Sequence, residues 1–273
     1  MNWSRIKTIL IILFLFTDIF LAASIFTAER KETEISPEVL RATKEILQSH
    51  NITIDNSVIL PHISSASILQ ADNAITDYDT FAALLLGDDY YLEAPEVYSS
   101  EKGKLAFSGD RFSFKAADEE KKSAEQLTQK SVRKILFSEL KTLGFDMSRA
   151  KVVQAAEKSG IWSVRIQDFA ENRPVFSSDI EASVSADGIL SLYGSWFNLR
   201  DNREQSGSIK GITGILIEFA EEYSRPAEIT AAEYGYSVFD NDNYHKSASL
   251  IPVCKIILKD GTAWFTDARG NEQ

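Results

Sequence analysis

A single cysteine, Cys254, among 273 residues excludes an intramolecular disulfide, and its neighbours Val253, Ile256 and Ile257 make it a buried strand thiol. Nucleophilic use of Cys254 would need an adjacent base, and the sequence offers none nearby. Histidine is scarce too. His50, His62 and His245 share no metal-ligand spacing, so no metal is expected. The chain also lacks a Gly-x-Ser-x-Gly elbow, a phosphate-binding loop and a dinucleotide fingerprint, and therefore the expectation is a non-enzyme without cofactor. Basic residues are outnumbered, 29 Lys and Arg against 40 Asp and Glu, for a net charge of −11. That balance excludes nucleic acid as a partner, because phosphates demand a basic surface.

The one long apolar run lies at the start. A head with Arg5 and Lys7 precedes a stretch from Thr8 to Ala28, long enough at about 1.5 Å per helical residue to cross a hydrocarbon core of about 30 Å. The basic head predicts a cytoplasmic N-terminus and an extracytoplasmic remainder, with Trp3, Arg5 and Lys7 at the membrane interface. A cleaved signal peptide is the rival reading, with Ala22-Ala23-Ser24 as its cleavage site, but its apolar core would span only about 7 to 15 residues. Asp18 falls inside the span. A carboxylate there costs roughly 2.5 to 3.5 kcal/mol, which makes Asp18 a contact with another helix or a protonated acid.

Beyond the span, 44% hydrophobic and 25% charged residues describe an ordinary folded chain. Ser36-Pro37-Glu38 opens a helix, with Ser36 placed to cap it, and Asn51 to Leu60 reads as extended. Asp77 to Leu86 reads as a second helix, and Glu96 to Lys115 as a β-meander turning at Lys102-Gly103. A long helix is expected from Asp118 to Leu143, stopped by Gly144. Antiparallel strands follow at Val152 to Ala156, Ile161 to Phe169, Ile180 to Ser185 and Ile189 to Leu199. Their turns fall at Ser159-Gly160 and Asp187-Gly188. A helix over about Ile209 to Tyr223 leads to strands at Ile229 to Phe239, Val253 to Leu258 and Thr262 to Asp267, the last two joined by Asp260-Gly261.

The expected class is α+β: one N-terminal transmembrane helix, then a β-rich ectodomain of antiparallel meanders with packed helices, built of one or two helix-plus-sheet units. The expected regions are 1–7 as cytoplasmic head, 8–28 as membrane helix, 29–117 as a membrane-proximal α+β region and 118–273 as a helix-plus-sheet region. Asp240 to Asn243 lacks the glycine and final acid of a calcium loop and reads as a turn. The adjacent pairs Asp88-Asp89 and Glu119-Glu120 do not share a face and form no acid–base couple. Trp162, Trp196, Phe197, Tyr234, Tyr236, Trp264 and Phe265 fall in strands, where core packing is the expectation and an exposed aromatic face the alternative.

The head Trp3-Ser4-Arg5-Ile6-Lys7-Thr8-Ile9-Leu10-Ile11-Ile12, followed by Phe14-Leu15 and Ile19-Phe20-Leu21, resembles the N-terminal signature of the YycI family, membrane-anchored regulators of an essential cell-wall sensor kinase. The phrase Gly103-Lys104-Leu105-Ala106-Phe107 is consistent with it. Asp18 stands where the family usually has an Asn-like polar residue. The resemblance implies a single-pass cell-membrane protein whose helix and ectodomain associate with a WalK-like histidine kinase and with a YycH-like protein. A helix face of Ile11, Phe14, Leu15, Asp18, Leu21, Ala22 and Ile25 would make the membrane contact. The alternative function is an anchored module that captures wall fragments or peptides.

Overall fold

The computed structural model describes residues 14, 17, 18, 35–55, 57–117, 127–203, 206–238 and 247–270. Phe14, Thr17 and Asp18 are helical and exposed. The rest of the expected span lies outside the described residues, with Ile11, Leu15, Leu21, Ala22 and Ile25 and the interface residues Trp3, Arg5 and Lys7. So do Glu119-Glu120, the Asp240 to Asn243 turn and His245. Among the described residues no helix is long and apolar enough to cross a membrane.

The chain is α+β, with a large β-rich sheet and four described helices. Its first elements are α1 (Pro37–Ser49), β1 (Ile52–Ile54), β2 (Ser65–Ala66), β3 (Leu69–Asn73) and α2 (Tyr78–Leu86). A meander follows: β4 (Tyr91–Ala94), β5 (Val97–Ser100), β6 (Gly103–Ser108) and β7 (Arg111–Ala116). After α3 (Gln129–Thr142) come β8 (Lys151–Lys158), β9 (Ile161–Ala170), β10 (Arg173–Ser185), β11 (Gly188–Ser195), β12 (Phe197–Arg203) and β13 (Gly207–Ser208). The last elements are α4 (Ile212–Glu222), β14 (Ala227–Val238), β15 (Ser247–Leu258) and β16 (Ala263–Asp267).

Local chemistry sets the helix ends. Pro37 takes the first position of α1, but Ser36 makes no side-chain cap, which corrects the role expected of its hydroxyl. Asp77 caps α2 by accepting from the Asp79 amide at 3.1 Å. Thr128 and Ser131 form a reciprocal capping box on α3. At its far end Gly144, at φ 91°, lets the Phe145 amide reach Leu140 O and its own amide reach Lys141 O, both at 3.0 Å. That pattern is a Schellman stop.

Contacts group the chain into two units. The smaller comprises the chain to Ser64, Lys210–Ala232 and Ile256–Ala263. In it α1 packs on α4, and β1 runs parallel to the start of β14, Ile52 opposite Ala227. The larger comprises Ser65–Ile209, Glu233–Lys255 and Trp264–Gln273. Its main sheet runs β12-β3-β15-β14-β10-β11-β7-β6-β5-β4, with β9 and then β8 added beside β10.

Two parallel pairs depart from the antiparallel expectation: β1 with β14, and β10 with β14, where Val175 faces Tyr236. Parallel neighbours need a crossover rather than a hairpin, and here β11 to α4 supplies it between β10 and β14. The single strand expected over Ile189 to Leu199 is also broken, at the fully buried Trp196. Around the break, side chains take over from the ladder: Ser195 donates to Ser177 O at 2.7 Å, and Ser178 accepts from the Phe197 amide at 3.1 Å.

One core of the larger unit lies under α2 and α3, where Phe81, Leu136 and Leu140 meet Phe112, Ile166, Ile180 and Leu192 of the sheet. A second cluster joins Leu69, Val175, Phe197, Tyr236 and Leu250.

Candidate functional site

Strand alternation puts Val164, Ile166, Ile180, Ala182 and Leu192 in the core of the larger unit, so the intervening residues face the other side of the sheet. Register aligns these in rows. Ser113, Tyr193, Glu181, Arg165 and Gln154 stand opposite one another across β7, β11, β10, β9 and β8. The next row is Lys115, Ser191, Ser183 and Ser163. Between the rows runs an open groove of about 360 Å³, lined by Gln154, Ser163, Arg165, Glu181, Ser183 and Tyr193.

Charges of both signs are interleaved at its end. Arg165 Nη2 donates to Asp179 Oδ2 at 3.0 Å, while Arg111 Nη2 lies 3.7 Å from Asp179 Oδ1 and Arg165 Nε lies 4.0 Å from Glu181. The Arg111 guanidinium sits 5.4 Å from the centre of the Tyr193 ring, which is 46% exposed. Arg165 Nε and Asp179 Oδ1 are buried without a hydrogen bond. This is a polar cleft with an aromatic wall at Tyr193, charges of Arg165 and Glu181, and serine hydroxyls on its floor. It can hold a hydroxyl- or amide-rich molecule.

Gly194 sets the approach of β11 to β10 beside the groove. At φ 155° its missing side chain makes room for β10, where a Cβ would stand 2.0 Å from Asp179 O. Gly103, at φ 156°, is required in the same way against Lys115 O, at 2.2 Å.

A second polar cluster is internal. Asp168 of β9 faces the core with no exposure, and burial pushes its carboxyl up to about 6 despite Arg149 Nη2 at 3.6 Å. Arg149 also reaches Asp146 at 3.1 Å. Elsewhere Tyr236 donates to Glu171 at 2.6 Å, and Arg173 reaches the same carboxylate at 3.1 Å. Burial raises the Tyr236 hydroxyl, with the Glu171 hydrogen bond adding to it.

Of the residues marked in the sequence, Cys254 is buried in β15, and burial raises its thiol to about 12, far from any reactive range. Trp196, Phe197, Tyr234 and Tyr236 are core, Trp162 and Trp264 are half-buried, and Phe265 is 47% exposed. No three metal-ligating side chains meet among the described residues. The groove residues Arg165, Glu181 and Tyr193, and Arg111 and Asp179 beside them, were not marked. Their signal was the alternation Asp179-x-Glu181-x-Ser183, legible once Arg165 is known to stand opposite.

No family model matches the chain, and no curated protein matches it by sequence. Among solved structures it is similar to an uncharacterized protein from Eubacterium rectale ATCC 33656, with TM-score 0.51 and 11% identity over 81% of this chain and 90% of that one. It is also similar to YycH from Bacillus subtilis, with TM-score 0.50 and 14% identity over 78% of this chain and 55% of that one. What is shared is the fold. The chain thus spans about half the length of YycH.

Proposed function

We propose that the chain is a membrane-anchored, non-enzymatic regulator of a cell-wall sensor histidine kinase, acting through helix and ectodomain contacts with the kinase and a YycH-like partner. The observation that carries the reading is a YycH-like fold following an N-terminal segment with the pattern of a membrane span and a YycI-like signature. Its N-terminus is cytoplasmic and its folded part extracytoplasmic. In lipid, helices associate by close packing and polar contacts, so Asp18 supplies the specific interaction on the face with Phe14 and Leu21. A contact that differs between two kinase states is enough to shift their balance.

The test is co-purification of the kinase with the full chain from membranes. Asp18→Leu lowers recovery and changes kinase output in this reading; unchanged recovery and output overturn it.

The groove beside Tyr193 favours a second reading, an anchored module that captures a wall fragment or peptide. Titration of the full chain with a muropeptide then saturates, and Tyr193→Ala weakens the binding. Equal binding by both proteins rejects the groove as the site.

A further inference from the structure

Strand β8 is a free edge: among the described residues it pairs only with β9. It is eight residues long, and Lys151, Val153, Gln154, Ala156, Glu157 and Lys158 are exposed. A bulge at Val153 interrupts the ladder, and from Gln154 to Lys158 the pairing is regular again. Beside this edge, on the helix-covered side of the sheet, an open groove of about 410 Å³ separates β8 from the start of α3. Its floor is apolar, with Val132, Val152, Ala155 and Val164. Its rim is cationic, with Lys130, Arg133 and Lys151.

Edge lysines guard against unwanted strand pairing, and that accounts for Lys151 and Lys158. It does not account for the apolar floor, nor for Lys130, Arg133 and Lys134 together on the neighbouring helix. On a chain of net charge −11 these cations stand out, and none lies within ion-pair distance of a carboxylate among the described residues. Lys151 rests on the Phe169 ring at 4.2 Å, and Arg133 on Phe137 at 5.0 Å. The one acid of β8, Glu157, is occupied within the β8–β9 turn, where it accepts from the Gly160 amide at 2.6 Å.

We propose that β8 and its groove form a docking surface for an acidic, extended segment of a partner protein, which adds to the sheet as a further strand. The free edge supplies backbone donors and acceptors, the floor takes the apolar side chains of one face, and the rim takes carboxylates. Charge complementarity selects an acidic segment, and the requirement for backbone pairing selects a polypeptide over other polyanions. The inference rests on the regulator reading only in making contact with other proteins the chain's work.

The test uses the full chain in detergent and a fluorescein-labelled ten-residue peptide alternating glutamate with valine. Saturable binding is expected, weakened at least tenfold by Lys130→Glu combined with Lys151→Glu, and at least tenfold by N-methylation of alternate peptide amides. Both substitutions are at exposed positions, and the N-methyl groups are on the peptide, so the second arm leaves the protein unaltered. No binding of the glutamate–valine peptide overturns the proposal. Equal binding of the N-methylated peptide or of polyglutamate also overturns it, and points to a surface for anionic polymers. Kinase recovery by the unaltered chain, measured alongside, separates the readings: absent peptide binding with intact recovery rejects this surface alone, and peptide binding without recovery rejects the regulator reading alone.

Discussion

Burial holds the Asp168 carboxyl at about 6 against the pull of Arg149, so folding keeps a proton that the unfolded chain gives up near 3.8. The stability tied to that proton is fully present below pH 3.8 and is lost as pH rises through 6, a change on the order of 3 kcal/mol. Asp168→Asn should therefore flatten this part of the profile. Urea denaturation at pH 4.5 and pH 7 checks it: the native chain loses stability relative to the variant across that interval, and parallel profiles exclude the effect. No sequence pattern announced the residue. Asp168 occupies a core-facing place in the alternation Val164-x-Ile166-x-Asp168, and a strand read through Ile161 to Phe169 does not tell that Arg149 stands beside it. The groove was hidden for a related reason, since Arg165 and Glu181 become neighbours only through the register of β9 on β10.

Elements were most legible where glycine marks their ends; the helix expected from Asp118 instead starts, among the described residues, at Gln129 after the Thr128 cap. Gly144, Gly160, Gly188 and Gly261 all sit at positive φ in turns or stops expected from sequence, because glycine lets the backbone turn left-handed without strain. Polar stretches were less legible. The first half of β10, with Pro174, Ser177, Ser178 and Asp179, has poor strand chemistry and is held by its neighbours, and β3 carries Gln70, Asp72 and Asn73. In α4, Gly214 is an exposed residue of the first turn with open space where a Cβ would go. Gly214→Ala should stabilise the chain by about 0.5–1 kcal/mol, read as a higher urea midpoint. A lower midpoint would mean the position serves a contact.

At the scale of the molecule, the class was legible and the strand order was not. Alternation shows that Ala248 and Leu250 face a core, but nothing local tells that β15 lies between β3 and β14, some 180 and 20 residues away. That central place has a cost if lost. A chain ending at residue 238 lacks β15 and leaves β3 and β14 without their shared neighbour, and it should be degraded by limited proteolysis at protease levels the full chain survives. Equal resistance would show that the meander from β4 to β11 stands alone. Cys254 carries a different consequence. Because the one native thiol is shut away in β15 and holds its proton, maleimides and disulfide reagents will pass it by. The wild-type chain is thus a ready background for site-directed labelling: a cysteine placed at position 18 or 153 would be its sole reactive handle, able to report its neighbours by crosslinking in living cells.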